Sequence, residues 1–311
     1  MLRFVTTRLL NMVFVLVGVS LLTFLVGHLA PGDPILILLG NNKSPELYAQ
    51  IKAAYGLDRP FIEQFAKFAW RALHGDFGLS YAQQGQAVTD ILARGVPVSL
   101  QIGGLALLCT LAVAVPLGTI AAVRSNTWFD NLIVSIALAL YAVPNFILAP
   151  LLLSVDIALY RRGLPSLPVA GWGTPAHLVL PVLVYTLGSS AYLVRLTRNS
   201  VLEVLREDYV RTARAKGLSN RAVNARHVVR NSLIPIVTYV GPSVAFLVSG
   251  SFVIEYMFAI PGIGYLAVQS LYQRDFPVVQ GITVSLAAAV VIMNLITDIS
   301  YAILDPRVRY G

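Results

Sequence analysis

Long apolar stretches alternate with polar segments along this chain, and six of them approach the length of a membrane span. They cover about 9–30, 98–123, 131–154, 177–194, 233–257 and 278–304. About 20 apolar residues in a helix cross the hydrocarbon core of a bilayer, so the pattern predicts an all-α membrane protein with six transmembrane helices. Pro116, Pro144, Pro150, Pro181 and Pro242 fall inside these stretches. Kinks are expected there, because neighbouring helices or cavities satisfy the freed backbone groups in membrane proteins. The start of the chain has some of the look of a signal peptide, with Arg3 and Arg8 ahead of an apolar run. That run continues to Leu29, and Ala30-Pro31-Gly32-Asp33-Pro34 is not a small-residue cleavage site. A retained first span is the expectation.

Two polar segments are too long to be simple connectors. In 31–94, Leu47, Ile51, Tyr55 and Leu57, then Phe61, Phe65, Phe68, Trp70 and Leu73, recur near helical spacing. This predicts two short amphipathic helices on the membrane face, followed by a turn at Gly75-Asp76-Phe77-Gly78. In 195–232, Leu202, Leu205, Tyr209 and Ala213 give one apolar face to a helix running from Asn199 to Lys216. Gly217 is placed for a left-handed C-terminal cap with apolar Leu218 just beyond it. Ser219 is placed to cap a second helix over about 220–230. The expected result is a cationic helix–turn–helix elbow, either a rigid projection or a basic helix that grips anionic lipid. The chain therefore divides into a first span (1–30), an extramembrane insertion (31–94) and a helical core (95–305) that carries the 195–232 loop.

Composition supports the membrane reading: 57% of residues are hydrophobic, only 12% are charged, and the mean hydropathy is +0.73. Soluble domains carry roughly a quarter charged residues. The net charge of +8 does not imply a nucleic-acid partner, because the basic residues sit in a few inter-span segments rather than on one aromatic-laced surface. With the N-terminus inside, the segments 1–8, 124–130, 195–232 and 305–311 hold 14 of the 23 Lys and Arg residues. Their density there is almost three times that outside, the sense of the positive-inside rule. Both termini are thus expected in the cytoplasm and 31–94 outside it. Cys109 is the sole cysteine, so neither a disulfide framework nor a cysteine metal site is expected.

Enzyme signatures are missing. There is no G-x-x-x-x-G-K-[ST] phosphate loop, no G-x-S-x-G elbow and no paired histidines, since His28, His74, His177 and His227 are scattered. No catalytic residue and no metal site is expected. Ionisable groups near the spans are His28, Asp156, Glu255 and Asp298. Charges in a membrane face cavities or partners, so Glu255, with Ser249 and Ser251 one to two turns earlier, is a candidate lining for a substrate pathway. Its alternative is an interfacial residue that holds the Pro261-Gly262 turn. Asp298 is expected to pair structurally, with an arginine of the basic loop as one choice.

The stretch Arg211-Thr212-Ala213-Arg214-Ala215-Lys216-Gly217-Leu218-Ser219, with His227, Asn231 and Pro235, resembles the "EAA" loop of bacterial ABC importer permeases. Its wording is nearest to the dipeptide, oligopeptide and nickel branch. Arg211 stands where that motif has its glutamate, and Thr212 replaces its first alanine. Tyr55-Gly56-Leu57-Asp58, Gly75-Asp76-Phe77-Gly78, Glu255 with Pro261-Gly262-Ile263-Gly264, and Asp305-Pro306-Arg307 extend the resemblance along nearly the whole chain. It implies a type I ABC importer permease (MetI-like) fold with an extracytoplasmic insertion between helices 1 and 2, in the bacterial inner membrane. It further implies that 211–219 is the ATPase-coupling loop. The implied partners are a homologous second permease, two ATP-binding subunits that hold the ATP and Mg, and an extracytoplasmic substrate-binding protein. Nickel and glutathione importers share these motifs, so substrate stays open within the branch. An ion-coupled secondary transporter would need inverted repeats and would leave the elbow without a role.

Overall fold

A computed structural model of the chain describes residues 2–29, 33–39, 44–83, 85–233, 235–240, 243 and 252–304. Among them all regular structure is helical except one isolated antiparallel bridge between Leu79 and Ala87. The apolar runs become α1 (Leu2–Leu29), α5 (Val88–Val123), α6 (Trp128–Ala142), α7 (Asn145–Tyr160), α8 (Ala176–Leu205) and α13 (Phe276–Leu304). Between them lie α2 (Pro34–Leu39), α3 (Pro45–Ala54), α4 (Phe61–Leu73), α9 (Asp208–Ala215), α10 (Asn220–Val223), α11 (Phe252–Met257) and α12 (Ile263–Tyr272). Four of these helices are long and apolar enough to cross a membrane, and α6 with α7 pass the same test only as a bent pair, a broken span or a re-entrant loop. Of the predicted fifth span, 233–257, residues 234, 241–242 and 244–251, Pro242 among them, lie outside the described residues. Apolar side chains such as Leu10, Phe14 and Leu22 stay exposed along α1. A helix left apolar and uncovered in this way is surrounded by lipid rather than water.

Two expectations about the spans change. The stretch 131–154 is not one helix: α6 and α7 meet at a bend of 106°. Pro144 has no N–H to continue the ladder and pushes the residue before it into extended backbone, and Val143 takes φ −93°, ψ 112°. Helix continues through Pro116, Pro150 and Pro181. The second span begins at Val88, ten residues before the apolar run. At ~1.5 Å per residue, 36 residues outrun the ~30 Å hydrocarbon layer, so part of α5 stands outside it.

The described residues fall into two compact units, one drawn from 1–99 and 261–304 with Phe252, the other from 100–247 and 253–260. In the first, the two predicted amphipathic helices appear as α3 and α4, joined by the unexpected short α2. Phe24 of α1 takes the rings of Phe61 and Phe65 edge-on, with centroids 5.3 and 5.6 Å away, and stacks with Phe68 at 5.6 Å. His28 meets Phe61 edge-on at 5.4 Å. Val88, Ile91 and Leu92 pack with Ile263, Ala267, Val278 and Ile282 in a buried core. Beside it, Asp275 is 2% exposed and accepts hydrogen bonds from the Ser80 hydroxyl and from the Tyr81 and Ala82 N–H groups at 3.0 and 3.2 Å. The second unit centres on α8, which packs against α5, α6 and α7 around Ala114, Ala137, Ala191, Leu193 and Val194. Gly118 brings α5 against α8: a Cβ there would lie 2.6 Å from the Val194 carbonyl oxygen and the Thr197 Cβ.

Candidate functional site: the basic elbow

The elbow forms beyond the end of α8, and its first arm is shorter than predicted. Helix does not run from Asn199 to Lys216. α8 reaches Leu205, the chain turns at Arg206-Glu207, and α9 covers only Asp208–Ala215. The apolar pattern misled because its residues belong to two helices that share one cluster. Val201, Val210, Ala213, Val223 and Val228 are buried together with Ala122 from the end of α5, and Leu202 and Leu205 pack around them. Tyr209 is exposed, and its hydroxyl accepts a 2.8 Å hydrogen bond from the Asn231 amide.

The turn takes the form that the sequence predicts. Gly217 has φ +83°, its N–H reaches the Arg214 carbonyl at 3.0 Å, and the Leu218 N–H reaches that of Ala213 at 3.4 Å. This is the Schellman pattern that closes a helix through a left-handed residue. Ser219 caps the second arm, its hydroxyl accepting from the Ala222 N–H at 3.3 Å. That arm stays α-helical only over Asn220–Val223; Asn224–Val229 widens to π-helix before one last turn, Arg230–Ser232. The Ser200 hydroxyl donates to the Ser232 carbonyl at 3.0 Å, pinning the far end of the elbow to α8. Glycine sets the angle of the turn, and apolar packing with the Ser200–Ser232 and Asn231–Tyr209 hydrogen bonds holds the arms.

What the elbow offers outward is also legible. Arg211, Thr212, Arg214, Ala215, Lys216, Gly217, Leu218 and Ser219 are exposed, whereas Ala213 is only 7% exposed and points into the cluster. Ala213 is therefore small because the chain's own core needs it, and the small residues left on the exposed side are Ala215 and Gly217. Arg211 has a 3.8 Å pairing with Asp208, with both side chains largely in water, which is worth little.

A second arrangement escaped the sequence. Asp130, at the start of α6 and 2% exposed, receives the Arg198 Nε and Nη2 at 2.6 and 2.7 Å and the Asn126 N–H at 3.0 Å. This bidentate pair ties α6 to α8 two residues before Ser200. The two residues are 68 apart, and only an acid at a helix start opposite an arginine hinted at it. The other acidic groups separate. Asp156 accepts from the Ser166 hydroxyl and the Leu167 N–H at 3.0 and 3.1 Å, a structural tether. Glu255 is 1% exposed in α11, between Ile254 and Phe258, and its backbone carbonyl accepts from the Ile260 N–H at 2.8 Å, closing the turn there. Ser249, Ser251 and the Asp298 side chain lie outside the described residues.

Fold and elbow define the class: a multi-pass membrane protein that carries a rigid basic helix–turn–helix outside its spans. Residues 114–310 match the family model described as binding-protein-dependent transport system inner membrane component, and residues 1–103 match the N-terminal model of the same systems. The chain belongs to this family. It is 39% identical over 309 residues to the dipeptide transport system permease protein of Bacillus subtilis (strain 168), covering 99% of this chain and 98% of that one. It is 35% identical to the dipeptide transport system permease protein of Escherichia coli (strain K12), over 100% of this chain and 99% of that one. A putative peptide transport system permease of Brucella abortus (strain 2308) is 38% identical, over 97% and 98%. Among solved structures, the inward-facing MetNI methionine ABC transporter matches with a TM-score of 0.56 at 18% identity, over 69% of this chain and 96% of that one. That likeness supports the type I importer fold. The resemblance read from the sequence holds at the level of family, fold and permease role.

Proposed function

We propose that this chain is one permease subunit of an ATP-driven importer of di- or oligopeptides, and that the elbow at Arg211–Ser219 transmits the ATPase stroke to the spans. The observation that carries the reading is the elbow itself. It is fixed to the ends of α5 and α8 by a buried cluster, yet it leaves Arg211, Arg214 and Lys216 outward. Movement imposed on it passes into two membrane helices rather than being absorbed by a loop. The relatives named for peptide transport cover the whole chain, which favours peptides over other cargo. ATP and Mg belong to two separate ATP-binding subunits. A homologous second permease completes the pathway, and an extracytoplasmic protein delivers substrate.

In this reading both termini are cytoplasmic, and 31–94 faces outward to receive the delivery protein. Glu255 with Ser249 and Ser251 forms a candidate pathway element that meets substrate only when the packing around Glu255 opens. The test is made on the assembled transporter. ATPase subunits should co-purify with the wild-type chain, and Gly217→Val should release them or uncouple ATP hydrolysis from uptake. Normal uptake with full ATPase retention in Gly217→Val sinks the elbow assignment. Lys52→Cys, made in a Cys109→Ser background, should react with an impermeant thiol reagent in intact cells; reaction only after permeabilisation reverses the topology.

A further inference from the structure

Within the second unit a cavity of about 160 Å³ lies among Gly103, Ala106, Leu107 and Thr110 of α5, Tyr185 and Ser189 of α8, and Tyr239 and Ser243 of the helical residues beyond the elbow. It sits among segments long and apolar enough to cross a membrane, yet five of its eight lining side chains carry a hydroxyl. A wall that served only packing would be apolar there, because polar groups in hydrocarbon need partners. Several hydroxyls among the described residues satisfy themselves on their own helix: Thr119 donates to the Val115 carbonyl, Thr283 to that of Val279 and the lining residue Ser243 to that of Tyr239, each at 2.8 Å. Thr110 does not. Its Oγ1 is buried, the residue is 2% exposed, and it has no hydrogen-bond partner among the described residues. Such an unsatisfied hydroxyl costs free energy, and because Thr110 Oγ1 is closed to water in this conformation, a ligand recovers that cost only when the wall opens to admit it. The space is well beyond the ~10–15 Å³ that one water needs.

We propose that this hydroxyl-lined cavity is the chain's contact for the backbone amides of the peptide in transit, an inference that rests on the peptide-importer reading above. The lining chemistry selects the class of ligand. Hydroxyls both donate and accept, and every peptide unit offers one N–H and one C=O whatever its side chain. None of the eight lining residues is charged, so the site neither demands nor rejects particular side chains. Nor does it hold the imidazole, carboxylate or sulfur that nickel-type cations prefer. The cavity wall and the family's cargo thus meet in one feature, sequence-tolerant recognition of amides.

The experiment uses the whole transporter with its co-purifying subunits and its extracytoplasmic substrate-binding protein, reconstituted in liposomes and supplied with dialanine or with nickel chloride. In a Cys109→Ser background, Ser189→Cys places a thiol on the cavity wall, and its rate of modification by a thiosulfonate reagent is read with and without each probe during ATP turnover. Dialanine should slow modification at least fivefold and nickel should not. Thr110→Val and Tyr239→Phe, which keep shape, should each lower dialanine uptake about fivefold relative to the amount of assembled complex. That fivefold corresponds to about 1 kcal/mol at 1.4 kcal/mol per tenfold. Uptake of dialanine with no protection of the thiol, or protection by nickel, overturns the cavity assignment alone. A wild-type complex, with its substrate-binding protein, that takes up neither dialanine nor longer alanine peptides overturns the peptide reading and this inference together.

Discussion

The elbow and the Ser80–Asp275 lock both hold the chain where it leaves a helix, and they do so with opposite chemistry. At the lock the polar groups turn inward. Asp275, 2% exposed, gathers one hydroxyl and two backbone N–H groups, and burial pushes the neighbouring Tyr81 phenol up to about 12. At the elbow the inward cluster is built from apolar side chains, Val201, Val210, Ala213, Val223 and Val228, beside the Ser200–Ser232 hydrogen bond, and Arg211, Arg214 and Lys216 face out. A contact that satisfies its own charges is complete within one chain. One that buries its apolar side and leaves its cations outside keeps them available to an acidic partner or to anionic lipid. That difference is the physical ground for the coupling role proposed above.

The comparison breaks most visibly at the lock. Asp275→Ala removes the acceptor of three donors in a buried place, and an unsatisfied buried donor costs ~1–3 kcal/mol. A loss of about 3 kcal/mol is expected, read as a clear fall in the melting temperature of the detergent-solubilised protein. A melt unchanged from wild type would show that the lock contributes little.

The elbow should respond in the reverse sense, with more effect on function than on stability. A side chain at Gly217 meets nothing within 4 Å in this chain, so only the left-handed backbone at φ +83° is strained, at about 1 kcal/mol. Gly217→Val is therefore expected to shift the melt slightly, while the same variant loses coupling in the assembled transporter. A large drop in stability would mean that the turn belongs to the fold as Asp275 does.

The smallest effect is electrostatic. Arg71 Nε and Nη2 donate to the Asp76 carboxylate at 2.8 and 3.0 Å, and the Gly78 N–H adds a third bond at 2.9 Å. The Arg71 bonds first, then the Gly78 N–H, hold the Asp76 carboxyl below its ordinary value. A lowered folded-state value stabilises above the unfolded pKa of ~3.9, and that contribution is lost as pH falls through the folded value. Both side chains are about half exposed, so solvent screening leaves less than ~1 kcal/mol. Asp76→Asn should flatten the acid limb of the stability profile by that amount, and 1 M salt should shrink the difference. An acid limb identical in Asp76→Asn would show that the pair is idle.

Periodicity and turn chemistry told most of this protein in advance. Four of the long apolar runs announced the helices α1, α5, α8 and α13 because a bilayer leaves a spanning segment few alternatives to helix. Gly217, Leu218 and Ser219 announced the elbow because capping needs particular residues at adjacent positions. The spacing of Phe61, Phe65 and Phe68 announced α4 in the same local way. Tertiary structure alone decided what depends on pairs far apart in the chain. It broke 131–154 at Pro144, gave Leu202 and Leu205 to α8 rather than to the elbow's first arm, turned Ala213 inward, and joined Asp130 to Arg198 and Asp275 to Ser80. Local signals are written in neighbouring residues, but a buried carboxylate's donor comes from wherever folding happens to bring one. The spacing of the sequence carries no record of that distance.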